Sequence, residues 1–185
     1  MIPDAVNCSA SKAMPTLRFP VSIVIERVPI ANRWVSEQWR IGAVEPESIE
    51  SAPACRRLED LGGVARWCCD GFAIELTRSE SEGYFLNITA PEPKTFVLCR
   101  SDEPEPGSDP ELKLRAHVVT VSYNEAARFL DGGERVDAVA LHPAILEWMR
   151  PFVTENYRPE PRRKSRRNEL YERDGNVTPA PKRDQ

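Results

Sequence analysis

The sequence predicts an α+β protein, with an antiparallel sheet of about six strands followed by two helices. Three observations carry this. Apolar residues alternate with period two through several short runs ahead of residue 121. Two later windows repeat apolar residues at helical spacing. The segments between runs are polar and contain Gly or Pro, as antiparallel connections require. An order of strands first and helices last places the helices at one end or over one face of the sheet.

Taken in order, a first strand is expected over 19–28, with Phe19, Val21, Ile23 and Ile25 on one face. A second follows over 39–44, where Trp39, Ile41 and Ala43 share a face. Residues 45–63 are rich in Glu, Ser, Pro and Ala and read as a surface loop, with one helical turn over 56–61. Three strands are then expected within 67–100. Phe72, Ile74 and Leu76 mark the first, Tyr84, Leu86 and Ile88 the second, and Phe96 and Leu98 the third. Polar loops at 79–83 and 91–94 join them. Pro104, Pro106, Gly107 and Pro110 among acids predict a long mobile loop over 101–111.

A sixth strand over 114–121 runs into Ser122-Tyr123-Asn124-Glu125, which fits the capping box. The Ser hydroxyl takes the N3 amide, and Glu125 is expected to reach back to the Ser122 amide. As a simple cap, Ser122 should tolerate replacement by Asp. The helix 123–131 buries Ala126, Ala127, Phe129 and Leu130, and Gly132-Gly133 stops it. A short run over 136–141 returns. Pro143 opens a last helix whose stripe is Ile145, Trp148, Met149, Phe152, Val153 and Tyr157. Pro151 inside it predicts a kink or a split. The shared core is expected to hold Phe72, Ile74, Leu86, Phe96, Leu98, Val121, Phe129 and Trp148.

The chain has 185 residues, 41% of them hydrophobic, and 17 prolines that gather outside the strand pattern. This suits one domain over 18–157, with a loose leader over 1–17 and a disordered, basic, Pro-rich tail over 158–185. The net charge of −4 is unevenly spread: residues 1–157 carry −8 and the tail +4. Five cysteines, one pair adjacent, do not suggest a secreted disulfide framework. No apolar run is long enough for a membrane span, and the first fifteen residues lack a signal-peptide pattern. A cytoplasmic location follows as the expectation.

Chemical motifs are few. The adjacent Cys68 and Cys69 point to opposite faces of a strand, so they do not chelate one metal. His117 lies on a strand, and His142 before Pro143 reads as a cap. Cys99 reads as a core filler, and Trp34 and Trp39 as packing residues. No Gly-x-Ser-x-Gly elbow and no phosphate-binding Gly-rich loop appears. No catalytic residue, metal or cofactor is therefore assigned. The most suggestive polar cluster is Arg78, Glu80, Glu82 and Tyr84, a binding edge or a charged hairpin tip that protects a sheet edge. The second is Arg162, Arg163, Lys164, Arg166 and Arg167, a basic run suited to an acidic protein surface or to phosphates.

Several ordered blocks resemble a bacterial family of unknown function, numbered 3305. They include Pro20-Val21-Ser22-Ile23-Val24-Ile25-Glu26-Arg27, Asn32-Arg33-Trp34 and Glu75-Leu76-Thr77-Arg78-Ser79-Glu80. Gly83-Tyr84-Phe85-Leu86-Asn87, Thr120-Val121-Ser122-Tyr123-Asn124-Glu125-Ala126 and Tyr157-Arg158-Pro159-Glu160-Pro161 continue the likeness. It spans about residues 19–167. Genes of that family lie beside those for molybdenum-dependent formate dehydrogenases. The resemblance thus implies a non-enzymatic accessory protein that assists assembly or maturation of such an enzyme by protein binding. Its partner would be a molybdoenzyme subunit or another accessory factor. Two other readings compete: a nucleic-acid-binding module using the basic run, and an enzyme of molybdopterin cofactor synthesis. The acidic body disfavours nucleic acid, and the missing nucleotide loop disfavours the enzyme.

Overall fold

The computed structural model describes residues 17–101 and 109–159. The expected leader and tail lie outside them, apart from their last and first residues, and so does most of the 101–111 loop. Seven strands and three helices follow one another in the order β1 (Leu17–Pro29), β2 (Glu37–Pro46), β3 (Ala54–Arg57), β4 (Ala65–Leu76), α1 (Ser81–Ile88), β5 (Lys94–Arg100), β6 (Arg115–Thr120), α2 (Tyr123–Asp131), β7 (Arg135–Ala140) and α3 (Pro143–Asn156). The protein is α+β as expected. Its strands, however, form two antiparallel sheets rather than one. The first has the order β2-β1-β4-β3 and the second β6-β5-β7. They pack with β2 beside β7 and β4 beside β6.

The split has a local cause. The run expected to be the central strand, Tyr84, Leu86 and Ile88, is helix α1, entered through a 3-10 turn over Arg78–Glu80. Its buried residues are Ser81, Gly83, Tyr84 and Asn87, a helical face, while Leu86 is 45% exposed. Five residues of alternation fit a strand and one helical face almost equally well. The buried amide of Asn87 decides for the helix. Its Nδ2 donates to the carbonyls of Lys94 (2.7 Å) and Val121 (2.8 Å), and its Oδ1 accepts from the Lys94 amide (2.9 Å). The side chain thereby ties α1 to the first residue of β5 and the exit of β6.

The stretch 45–63 also differs from expectation. Ala54–Arg57 is a strand, not part of a helical turn, and pairs with Trp67–Asp70 of β4. Cys55 and Cys69 sit directly opposite and form a disulfide, Cα–Cα 4.1 Å. A cross-strand pair needs no secreted-scaffold spacing, which is why counting cysteines missed it.

Three bulges shape the sheets. Against β1, Asp70 and Gly71 of β4 together oppose Ser22, because Val21 faces Phe72 and Ile23 faces Cys69. The extra residue reverses which parity points inward. Trp67 and Cys69 are buried before it; Ile74 and Leu76 are buried after it. Gly71 has φ +88°, and a Cβ there would meet the Pro53 backbone, so glycine is required. A second bulge at Gly42 moves burial in β2 from Ile41 to Val44, which corrects the expected Ala43. The third makes His117 the extra residue of β6, between Leu114 and Val119, both buried.

The core takes Val21, Ile23 and Ile25 from β1, Val97 and Cys99 from β5, and Ile145, Met149 and Val153 from α3. Phe72 and Trp148 pack against its edge. Phe96 and Leu98 are buried on the other face of the second sheet, where Phe96 meets Tyr123 of α2 edge-on at 5.0 Å. In α2 only Ala126 is buried; Ala127 is exposed and Leu130 is 57% exposed. The α3 stripe matches its periodicity, and the helix runs through Pro151 without being split. Trp39 packs on Trp67 at 5.1 Å, whereas Trp34 is 83% exposed in the β1–β2 loop and is no packing residue.

Candidate functional site: an acidic cleft between open strand edges

A cleft of about 410 Å³ lies where β4, β6 and the starts of α1 and α2 converge. Two bulge residues, Gly71 and His117, line it together with Glu75, Glu80, Tyr84 and Glu125. Bulges re-aim side chains and end pairing, and both effects occur here. β3 covers only Trp67–Asp70, so the outer edge of β4 from Gly71 to Leu76 has no strand partner among the described residues. Among the described residues, β5 is the one strand that pairs with β6. Two edges with no further strand partner among those residues therefore border one cleft.

Tyr84 closes the end of the β4 edge. Its hydroxyl accepts from the Thr77 amide (3.2 Å) and donates to the Glu75 carbonyl (3.3 Å), as a neighbouring strand would. Burial, helped by the charges of Glu125 and Glu80, holds this phenol above its ordinary range. Glu80 anchors the opposite wall. It accepts from the Ser122 hydroxyl (2.8 Å) and from Arg128 (2.7 Å). Ser122 is fully buried and also accepts from the Glu125 amide (3.1 Å), which is the predicted cap. The second half of the capping box is absent. The Ser122 amide donates instead to Thr120 Oγ1 (3.1 Å), leaving the Glu125 carboxylate beside the cleft. Glu75 pairs with Arg18 (3.1 Å), which also reaches Glu50 (2.9 Å). Glu125 makes no ion pair among the described residues. Carboxylates, one phenol and open backbone edges suit cationic, extended chains.

Of the residues proposed from sequence, Glu80 and Tyr84 line this cleft. Arg78 and Glu82 are exposed outside it, because their segment is a helix start and not a hairpin tip. Arg162, Arg163, Lys164, Arg166 and Arg167 lie outside the described residues. Glu75, Glu125 and His117 were missed as site residues. The one sequence signal for them was an isolated glycine inside a strand pattern, at Gly71, which marks a bulge.

A second polar cluster holds the other end of the first sheet. The Trp67 indole donates to Asp109 (2.8 Å), Arg27 and Arg57 lie over its ring, and Glu111 accepts from Arg57 (2.8 Å). A third closes the β2–β7 seam, where Asp137 accepts from the Ile41 amide (3.0 Å) and Arg135 donates to the Trp39 carbonyl (2.6 Å). His142 caps α3 through Nδ1. Among the described residues, no group of three His, Cys, Asp or Glu is placed to hold a metal ion. No helix among them is long and apolar enough to cross a membrane.

Two packed antiparallel sheets with an acidic cleft between them define an α+β domain. A family model described as a protein of unknown function, DUF3305, matches residues 20–166, and the chain belongs to that family. No curated protein and no solved structure matches the chain.

Proposed function

We propose that this chain is a non-enzymatic accessory protein that acts by binding another protein. The cleft is the observation that supports this: two strand edges with no further strand partner among the described residues, beside the carboxylates of Glu75, Glu80 and Glu125. An exposed edge recruits an extended segment through main-chain hydrogen bonds, and flanking side chains select its charge. The partner class comes from the family resemblance, which implies a subunit or accessory factor of a molybdenum-dependent formate dehydrogenase. The test is affinity capture of the full-length chain from its native host. Formate dehydrogenase subunits should be enriched, and at least fivefold less so with the double variant E75Q/E125Q. Equal recovery with both chains would overturn the cleft as the binding surface. Absence of formate dehydrogenase components from the capture would overturn the partner class. Micromolar or tighter binding of oligonucleotides at physiological salt would favour the nucleic-acid reading instead.

A further inference from the structure

The cleft's charge is only partly answered within the described residues. Three carboxylates, those of Glu75, Glu80 and Glu125, line it; Arg18, shared with Glu50, pairs with the first and Arg128 with the second. The chain itself carries the complementary charge. Residues 162–167 read Arg-Arg-Lys-Ser-Arg-Arg, preceded by Pro159-Glu160-Pro161.

Position brings the two together. The last described residues pack on the helix that contributes to the cleft: the Tyr157 ring stacks on Phe85 of α1 at 4.8 Å, and Tyr84 of the same helix lines the cleft. From there, seven residues at extended spacing reach as far as Lys164, about 23 Å. Chemistry favours strand addition by this segment. Pro161 has no amide proton, but residues 162–167 contain no proline, so each one keeps its donor for a ladder. In an extended strand Arg162, Lys164 and Arg166 fall on one face, and Arg163 and Arg167 on the other. Cations are thus presented on both sides of an added strand.

We propose that residues 162–167 of the chain occupy this cleft, adding to the open edge of β4 with their cations against Glu75, Glu80 and Glu125. The protein then carries an internal mimic of its partner's segment, and the partner binds by displacing it. This last step rests on the protein-binding reading above. The occupancy itself is read in the isolated protein, so the two fail separately.

Zero-length carbodiimide coupling of the purified full-length chain at low concentration tests it, followed by digestion and mass spectrometry of the monomer band. The pairs Lys94–Glu92 (2.9 Å) and Lys113–Glu37 (3.0 Å) serve as internal standards. Lys164 should link to Glu75, Glu80 and Glu125 in preference to all other carboxylates. The variant R162Q/R163Q/R166Q/R167Q keeps Lys164 and all cleft residues, and its cleft links should fall at least fivefold against the standards. In E75Q/E125Q, the remaining Lys164–Glu80 link should fall as well. Lys164 links scattered without preference, or links unchanged in the arginine variant, would overturn the proposal. Links found only in covalent dimers would also overturn it, because the occupant would then be a second copy's segment.

Discussion

At Ser122 a single hydroxyl caps α2 and fastens the start of α1. It accepts from the Glu125 amide and donates to Glu80, whose other oxygen accepts from Arg128. Gly83 lets the helices approach this closely, since a Cβ there would sit 2.2 Å from the Ser122 hydroxyl oxygen. Ser122→Ala removes the cap and should cost about 0.5–2 kcal/mol in chemical denaturation. Ser122→Asp, harmless for a simple cap, should cost more than Ser122→Ala, because it sets a second carboxylate against Glu80 where a donor stood. An Asp variant as stable as the wild type would remove Glu80 from the account.

At the scale of elements, α1 separates a helical reading from a strand reading. Leu86 belongs to the core if 84–88 is a strand, and its truncation would then cost about 2–5 kcal/mol. On the helix it is half-exposed, so Leu86→Ala should shift stability by no more than about 0.5 kcal/mol. Asn87→Ala leaves one amide and two carbonyls of neighbouring strands unpaired, and should cost roughly 2–4 kcal/mol. Equilibrium urea unfolding of the two variants ranks them, and the opposite order would restore the strand. Elements with many periodic positions were legible from sequence: β1 and the α3 stripe fall where their residues put them, whereas in α2 the cap fixed the bounds but only Ala126 of the expected face is buried. Short ones were not, because α1 offers one face of four buried residues and β3 only four residues, all exposed. The cleft was less legible still. Glu80 and Tyr84 are local to one segment, but Glu75, His117 and Glu125 join them only through the packing of β4 beside β6.

For the whole molecule, charge sets a pH window of stability. The Lys113 ammonium and the Trp39 indole hold Glu37 below the usual carboxylate range. The Trp67 indole does the same for Asp109, and Arg100 for Glu134. Groups lowered in the folded state stabilise it above their ordinary range, and that contribution is lost as pH falls through the folded values. Burial acts at the alkaline end. It raises Tyr84 and Cys68, and pushes the Cys99 thiol up to about 12, with Asp137 adding to the effect. Groups raised in this way stabilise the fold while neutral, and the contribution drains as pH climbs from the free thiol's range toward the folded value. The urea midpoint should therefore stay level between about pH 5 and 8, then fall below about pH 4 and above about pH 9. A midpoint still rising at pH 10 would contradict this assignment of buried thiols.

The bulges at Gly42, Gly71 and His117 act as switches in a two-letter code of inside and outside. Threaded as an ordinary ladder residue, without the bulge, Gly71 would push every later residue of β4 one place along β1. Ile74 and Leu76 would then turn toward water, while Ala73 and Glu75 took their places inside. Deleting Gly71 outright has the opposite effect, because Trp67, Cys69, Ile74 and Leu76 stay inside on one unbroken alternation. In the sequence the surplus glycine looks like a break in the pattern; in the molecule, a strand that kept the letter and lost the kink would be turned inside out along half its length.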